Sequence, residues 1–201
     1  MAHSRMTLIR SICVYCGSAA GNDPLFTESA RDFGARMAAS GVGLVYGGGN
    51  VGLMGTVAKA VLDGGGDVTG IIPEFLKKKE RVLGDVHNLI VTEDMHQRKQ
   101  LMFEKADAFV ALPGGVGTLE ELIEMLTWAQ LGRHQKPVLI ANIAGFWKPL
   151  LVLLAHMRES GFIRTGFEVH TLVAEKIADI LPMLEAAAAR HGQAEAGQIA
   201  F

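Results

Sequence analysis

Short apolar, β-branched runs alternate along this chain with longer stretches of helical spacing. The runs Ser11–Tyr15, Val42–Tyr46, Asp67–Ile72, Leu89–Val91, Ala108–Leu112 and Pro137–Ala141 read as strands, with a weaker one at Val169–Val173. Between and after them, Pro24–Ser40, Gly52–Leu62, Met95–Lys105, Leu119–Leu131, Phe146–Glu159 and Ala174–His191 read as helices. Strand–helix alternation predicts an α/β fold, a Rossmann-like doubly wound parallel sheet with helices on both faces. Several strands are apolar at successive positions, as in Phe109-Val110-Ala111-Leu112, which suits a sheet covered on both sides. No internal repeat and no linker interrupts the pattern. A single domain over residues 1–191 is therefore expected, with the small, polar residues 192–201 as a flexible tail.

Composition narrows the function classes. A chain of 201 residues, 49% hydrophobic and 20% charged, can bury a full core without disulfides, which excludes intrinsic disorder for most of it. The net charge of −2 implies no basic face, so nucleic acid is not an expected partner. The longest apolar stretch, Leu150–Ala155, is far below the ~18 residues of a membrane span, and the first ten residues lack a signal-peptide core. A cytoplasmic protein with no membrane partner is expected. Cys13 and Cys16 form a C-x-x-C pair, but Cys13 lies within a strand, where positions three apart face opposite sides. Structural thiols are expected there rather than a redox pair, and further zinc ligands at finger spacing are missing. Neither a metal nor a cofactor is expected.

Glycine changes the picture most. The chain has 24, and nine of them fall in three turns that each follow a strand: Cys16–Gly21, Gly47–Gly52 and Pro113–Thr118. Ligands of open parallel sheets sit beyond the carboxyl ends of the strands. Glycine there admits close backbone approach, and a following helix N-terminus offers N–H groups to an anion. Three such turns in one domain point to a nucleotide or another phosphate ligand. Gly47, Gly49 and Gly52 match the spacing G-x-G-x-x-G, but the acidic residue of a dinucleotide site is poorly placed: Asp67 comes early and Glu74 late.

Two further segments carry candidate chemistry. Thr118-Leu119-Glu120-Glu121 reads as a capping box, with Thr118 as N-cap and Glu121 reaching back. Glu121 thus either caps a helix or brings a carboxylate to a phosphate-binding loop. On the helix from Met95, the residues Met95, Arg98, Lys99 and Met102 share one face. A cation on an apolar stripe either snorkels to solvent or meets an anion, and the planar fork of Arg98 favours the second. His96 falls off the stripe and reads as a surface residue.

Pro113-Gly114-Gly115-Val116-Gly117-Thr118-Leu119-Glu120-Glu121 resembles the P-G-G-x-G-T-x-x-E motif of the Lonely Guy family, and Met95-His96-Gln97-Arg98-Lys99 resembles its second motif. Cys16-Gly17-Ser18 and the turn Tyr46 to Gly55 are similar to its other loops. The resemblance implies a homodimer that hydrolyses the N-glycosidic bond of cytokinin riboside 5′-monophosphates or AMP, releasing free base and ribose 5-phosphate. It implies Arg98 and Glu121 as catalytic residues. Substrate contacts implied by the match, together with the glycine loops, are Gly17, Ser18, Gly48, Gly49, Glu80, Lys99, Gly114, Gly115, Val116, Gly117, Thr118, Leu119, Glu120 and Thr127. Family members often carry the label lysine decarboxylase, yet Lys99, beside Arg98 on a helix stripe, is not marked as a Schiff-base lysine. The competing expectation is a nucleotide-binding or cofactor-carrier protein on the same scaffold, without turnover.

Overall fold

The computed structural model describes residues 9–77, 88–163 and 171–198. Seven parallel strands form one sheet: β1 (Ser11–Tyr15), β2 (Gly43–Tyr46), β3 (Val68–Pro73), β4 (Asn88–Thr92), β5 (Ala108–Ala111), β6 (Val138–Ala141) and β7 (Leu172–Ala174), in the order β4-β3-β2-β1-β5-β6-β7. The register sets Cys13 of β1 between Val45 of β2 and Phe109 of β5. Every strand pair is parallel, so each connection must cross over a face, as the alternating pattern predicted.

The helices are α1 (Pro24–Ala39), α2 (Gly52–Asp63), α3 (Glu74–Lys77), α4 (Met95–Lys105), α5 (Val116–Gln130), α6 (Lys148–Glu159) and α7 (Ile177–Gln198). Two cores result. Phe33 and Met37 of α1, Val57 and Val61 of α2, and Ile180 and Leu184 of α7 pack with Ile12, Val14 and Leu44 on one face. Met102 of α4, Leu122, Met125 and Leu126 of α5, and Trp147 pack with Cys13, Val45 and Phe109 on the other. The doubly wound expectation therefore holds. Because β1 feeds a helix on one face and β5 feeds a helix on the other, the chain opens a crevice where the winding reverses.

Most ends shift by a residue or two, and the weaker strand expected at Val169–Val173 is Leu172–Ala174, with Val169 and His170 outside the described residues; four larger differences stand out. The helix α5 begins at Val116 instead of Leu119, with Gly115 as N-cap and no capping side chain. Thr118 therefore lies inside the first turn, and the capping box is not formed. A short 3-10 turn at Ile143–Gly145 precedes α6, with Ala144 at φ 52°, so α6 starts two residues after Phe146. The segment Glu74–Lys77 is a one-turn helix that the sequence pattern did not suggest. Lastly, α7 begins at Ile177, since Ala174 ends β7, and it runs on to Gln198 through most of the stretch expected to be an irregular tail. Both cysteines are buried, one in each core, and burial pushes both thiols well above the ordinary range. That agrees with structural thiols.

Candidate functional site

One residue gathers the three glycine turns. The Gly17 amide donates to the Pro113 carbonyl at 3.0 Å, and the Gly17 carbonyl accepts from the amides of Leu53 (3.0 Å) and Met54 (3.2 Å). Gly52 makes this possible: its φ is +63° and the Ser18 carbonyl group occupies the space a β-carbon would take. The turns after β1, β2 and β5 thereby meet at the carboxyl edge of the sheet.

The helix N-termini near this edge are not equivalent. Asp23 accepts from the Leu25 amide at 2.9 Å and caps α1, while Asp94 accepts from the Gln97 amide at 2.8 Å and caps α4. The second and third amides of α2 are spent on Gly17. At α5 no side chain caps the end, no acid lies in the first turn, and Gly115, Val116 and Gly117 are exposed. Its leading N–H groups have no intrahelical acceptor, and with the helix dipole they form a positive, donor-rich end open to an anion.

Beneath that end lies a buried ion pair. The Arg98 Nε of α4 donates to the Ile71 carbonyl on β3 at 3.1 Å, and its Nη1 lies 3.2 Å from Oε1 of Glu121 on α5. The two side chains are only 10% and 11% exposed. Gly47 leaves room for the guanidinium, since a β-carbon there would strike Arg98 Nη2. Burial pushes the Glu121 carboxyl up to about 7, with the Arg98 guanidinium opposing and the carboxylates of Glu120 and Glu124 adding to the rise. A permanently charged arginine therefore holds a carboxyl that exchanges protons near neutrality, the range suited to general acid–base work.

Lys99 turns elsewhere. Its Nζ donates to Glu120 Oε1 at 2.6 Å and to Glu124 Oε1 at 3.0 Å. Burial alone would lower the ammonium, but these two bonds outweigh it and hold the pKa above the ordinary lysine value. A lysine kept protonated between two carboxylates is unsuited to Schiff-base formation. The residues here do not fit pyridoxal phosphate chemistry.

A cavity of about 330 Å³ opens at the crevice, within the size range of small-molecule sites. Of the sequence-predicted residues it brings together Ser18, Arg98, Gly115, Val116, Gly117, Thr118, Glu120 and Glu121. Gly17 and Gly114 instead line an adjoining cavity of about 230 Å³ that shares Ser18 and Gly115 with the first. Gly48 and Gly49 are buried, and Gly48, at φ +81°, packs on Ile72 of β3. Leu119 packs into the α4–α5 core. Thr127 is exposed, and its hydroxyl donates to the Ile123 carbonyl at 2.7 Å. Glu80 lies outside the described residues. Sequence reasoning missed Val14, Cys16, Gly47, Met54 and Leu76 as lining residues, and named Met95 only for its helix face. For Gly47 the glycine cluster itself was a signal, whereas for Met54 and Leu76 only the fold brings them near.

The fold and the crevice thus define a class: an α/β protein with an uncapped, donor-rich helix end beside a buried arginine–carboxylate pair. A family model described as "Possible lysine decarboxylase" matches residues 54–184. A probable cytokinin riboside 5′-monophosphate phosphoribohydrolase of Oryza sativa subsp. japonica, LOGL1, is 45% identical over 174 residues, covering 87% of this chain and 78% of its own length. Its Arabidopsis thaliana counterpart LOG3 is 49% identical over 154 residues, covering 77% of this chain and 72% of its own. The chain belongs to this Lonely Guy (LOG) family of phosphoribohydrolases. Among solved structures, the molybdenum cofactor carrier protein of Chlamydomonas reinhardtii is similar with a TM-score of 0.67 over 89% of this chain and 98% of that one. At 21% identity it shares the fold alone.

Proposed function

We propose that this protein hydrolyses the N-glycosidic bond of adenine-type nucleoside 5′-monophosphates, cytokinin riboside 5′-monophosphates or AMP, to free base and ribose 5-phosphate. The observation that carries the reading is the uncapped N-terminus of α5 in the same cavity as the buried Arg98–Glu121 pair. The 5′-phosphate accepts hydrogen bonds from the first amides of α5. This anchors the ribose so that C1′ faces Glu121, converting binding into positioning. As the C1′–N9 bond lengthens, positive charge grows on the ribose, as in other glycoside cleavages. The Glu121 carboxylate stabilises that charge and takes a proton from the water whose oxygen bonds to C1′. The bonding pair leaves with N9, and the base picks up a proton from solvent. Arg98 cannot supply that proton, because its guanidinium does not deprotonate; its part is to hold Glu121 and to stay charged.

In this reading the substrate contacts are Ser18 and the run Gly114 to Glu120, with Lys99 acting through Glu120. Gly17, Gly48 and Gly49 shape the loops behind, and Glu80 and Thr127 remain contacts implied by the family motif. A homodimer belongs to the same reading. Phe103, Met125, Trp128 and Leu131 offer apolar surface on α4 and α5; in the structure Met125 is buried, Phe103 and Trp128 are partly buried against the core, and Leu131 is 73% exposed. Elution as a monomer at micromolar concentration would count against that part. The setting is cytoplasmic, and no helix among the described residues is long and apolar enough to cross a membrane.

Val116→Pro tests the anchoring. Proline is well tolerated at the first helical position, and Gly115 already has the extended conformation required before it. The change removes one N–H from the anion end and leaves the helix intact. KM for the monophosphate should rise about tenfold or more with melting unaltered. A variant with wild-type KM would show that the phosphate sits elsewhere.

A further inference from the structure

The segment 131–137 joins α5 to β6 and reaches both helices that carry Arg98 and Glu121. The Lys136 ammonium donates to the Phe103 carbonyl of α4 at 2.7 Å and lies 4.2 Å from the centre of the Phe103 ring. The His134 ring meets the same phenylalanine edge to face, 5.4 Å between centres, and its Nε2 lies 3.0 Å from the Met125 carbonyl of α5. Arg133 adds a surface link, with Nη2 3.3 Å from Gln100 Oε1 of α4 and its guanidinium 4.0 Å over the Trp128 ring of α5. We propose that His134 and Lys136 are positioning residues for the reaction: together they clasp α4 to α5 and thereby hold Arg98 against Glu121. This rests on the N-glycosidase reading above.

Three observations support it. First, the clasp lies close to the pair. Phe103 follows Arg98 by five residues and Met125 follows Glu121 by four, ~6–8 Å along the helix axes. A shift of about 1 Å between the helices there reaches the 3.2 Å contact nearly undiminished, and misplacement of that size costs up to about a hundredfold in rate. Second, the pair does not set its own spacing. Both groups are buried, burial opposes ionisation of the Glu121 carboxyl, and a buried ion pair regains little beyond what its desolvation costs. Lys99, bonded to Glu120 and Glu124, ties the helices at the cavity end, and the clasp supplies the second fixed point that a rigid spacing needs. Third, the clasp is specific in its bonds. The Met125 carbonyl can only accept, so His134 carries its proton on Nε2, and burial, which lowers the imidazole pKa, favours that neutral ring. The Phe103 carbonyl is among the last four of α4, which have no intrahelical donor, and Lys136 satisfies it.

The test pairs His134→Leu, which removes the N–H donor, with His134→Gln, which restores one at the reach of Nε2. Lys136→Met and Lys136→Arg form the matching pair, and at this half-buried position the methionine keeps a stem over the Phe103 ring, so one disruptive variant folds even where His134→Leu does not. For each protein, kcat and KM for AMP and for its N6-isopentenyl derivative are measured across pH, and the Glu121 carboxyl is titrated by NMR with 13C-labelled glutamate. His134→Leu and Lys136→Met should lose kcat about tenfold or more, with KM within about twofold. Arg98 holds the Glu121 pKa down, so a looser contact lets it rise, and the acid limb of kcat and the NMR midpoint should both move to higher pH. Arg98 and Lys99 face this carboxyl from α4, and Glu120 and Glu124 flank it on α5. From β1 and its end, Cys13, Tyr15 and Cys16 are held un-ionised by burial. Loss of the neutral His134 therefore moves the midpoint through geometry. His134→Gln and Lys136→Arg should return kcat to within about threefold of wild type. A merely structural role lowers melting but leaves kcat and the Glu121 midpoint where they were, which overturns the proposal, as does a glutamine variant no better than leucine. A wild type that cleaves neither nucleotide overturns the N-glycosidase reading, and the Glu121 titration then decides the clasp by itself.

Discussion

Replacing Glu121 by glutamine removes one charge and almost no volume. The carboxylate is not a helix cap, because α5 starts at Val116, so the substitution costs no capping bond. What it removes is the partner of Arg98 at 3.2 Å and, in the proposed mechanism, the group that faces developing charge on the ribose. General-base and electrostatic contributions of this kind are each worth about two orders of magnitude or more, so kcat should fall at least about a hundredfold. The folded-state pKa of Glu121 is raised, to about 7 from 4.5, chiefly by burial. A raised carboxyl leaves the folded protein holding a proton that the unfolded chain has lost. Stability from this group is therefore greatest below 4.5, declines as pH climbs toward 7 and is level above, a total of about 3 kcal/mol. The variant lacks a titrating group there. Its melting temperature should stay flat, as far as this site is concerned, across the window where the wild type loses stability. Activity in the wild type should run the other way, rising with pH to a plateau as the carboxylate forms near 7. Initial rates by chromatographic detection of free base, with thermal melts at pH 5 and pH 8, measure both. Turnover within threefold of wild type would refute the assignment of Glu121 to chemistry, whatever the melts show.

Arg98→Lys keeps the charge but cannot reach the Ile71 carbonyl and Glu121 at once, so kcat should fall about tenfold or more with the fold retained, checked by steady-state kinetics and circular dichroism. Gly47→Ala drives a methyl group into Arg98 Nη2, and the loss should appear in kcat before it appears in melting. Lys99→Met strands Glu120 and Glu124 beside each other and should destabilise the α4–α5 contact by about 1–3 kcal/mol in urea unfolding. Stability equal to wild type would show the pair to be a surface ornament.

The sheet was legible because its central strands β1, β2, β5 and β6 bury both faces and so read as apolar runs, as Ala108 to Leu112 does. The start of α5 was not. Gly115 and Gly117 argue against a helix on propensity, and Thr118 with Glu121 imitates a cap three residues late. The sequence looks like a loop there because its amides have been left without a capping side chain. Arg98 and Glu121 could be singled out by helix face and family motif, but their contact crosses 23 positions and depends on α4 and α5 lying on one side of the sheet. The commitment of Lys99 to Glu124 was invisible for the same reason. The positive φ of Ala144 has no local signal in the sequence at all.

The pairing of every described cation at the crevice with a carboxylate has a consequence for how ligands arrive and leave. Arg98 is matched by Glu121, and Lys99 by Glu120 and Glu124. These residues form no cationic funnel to draw anions from a distance, so long-range attraction adds little to encounter, and the association rate should sit nearer the ~10⁵–10⁶ M⁻¹s⁻¹ of unsteered docking. In the proposed binding mode recognition relies instead on aligned peptide dipoles at α5, which act over a turn of helix and are only weakly screened once water is displaced. Such a site keeps its affinity as ionic strength rises, and it releases ribose 5-phosphate without having to break a tight ion pair.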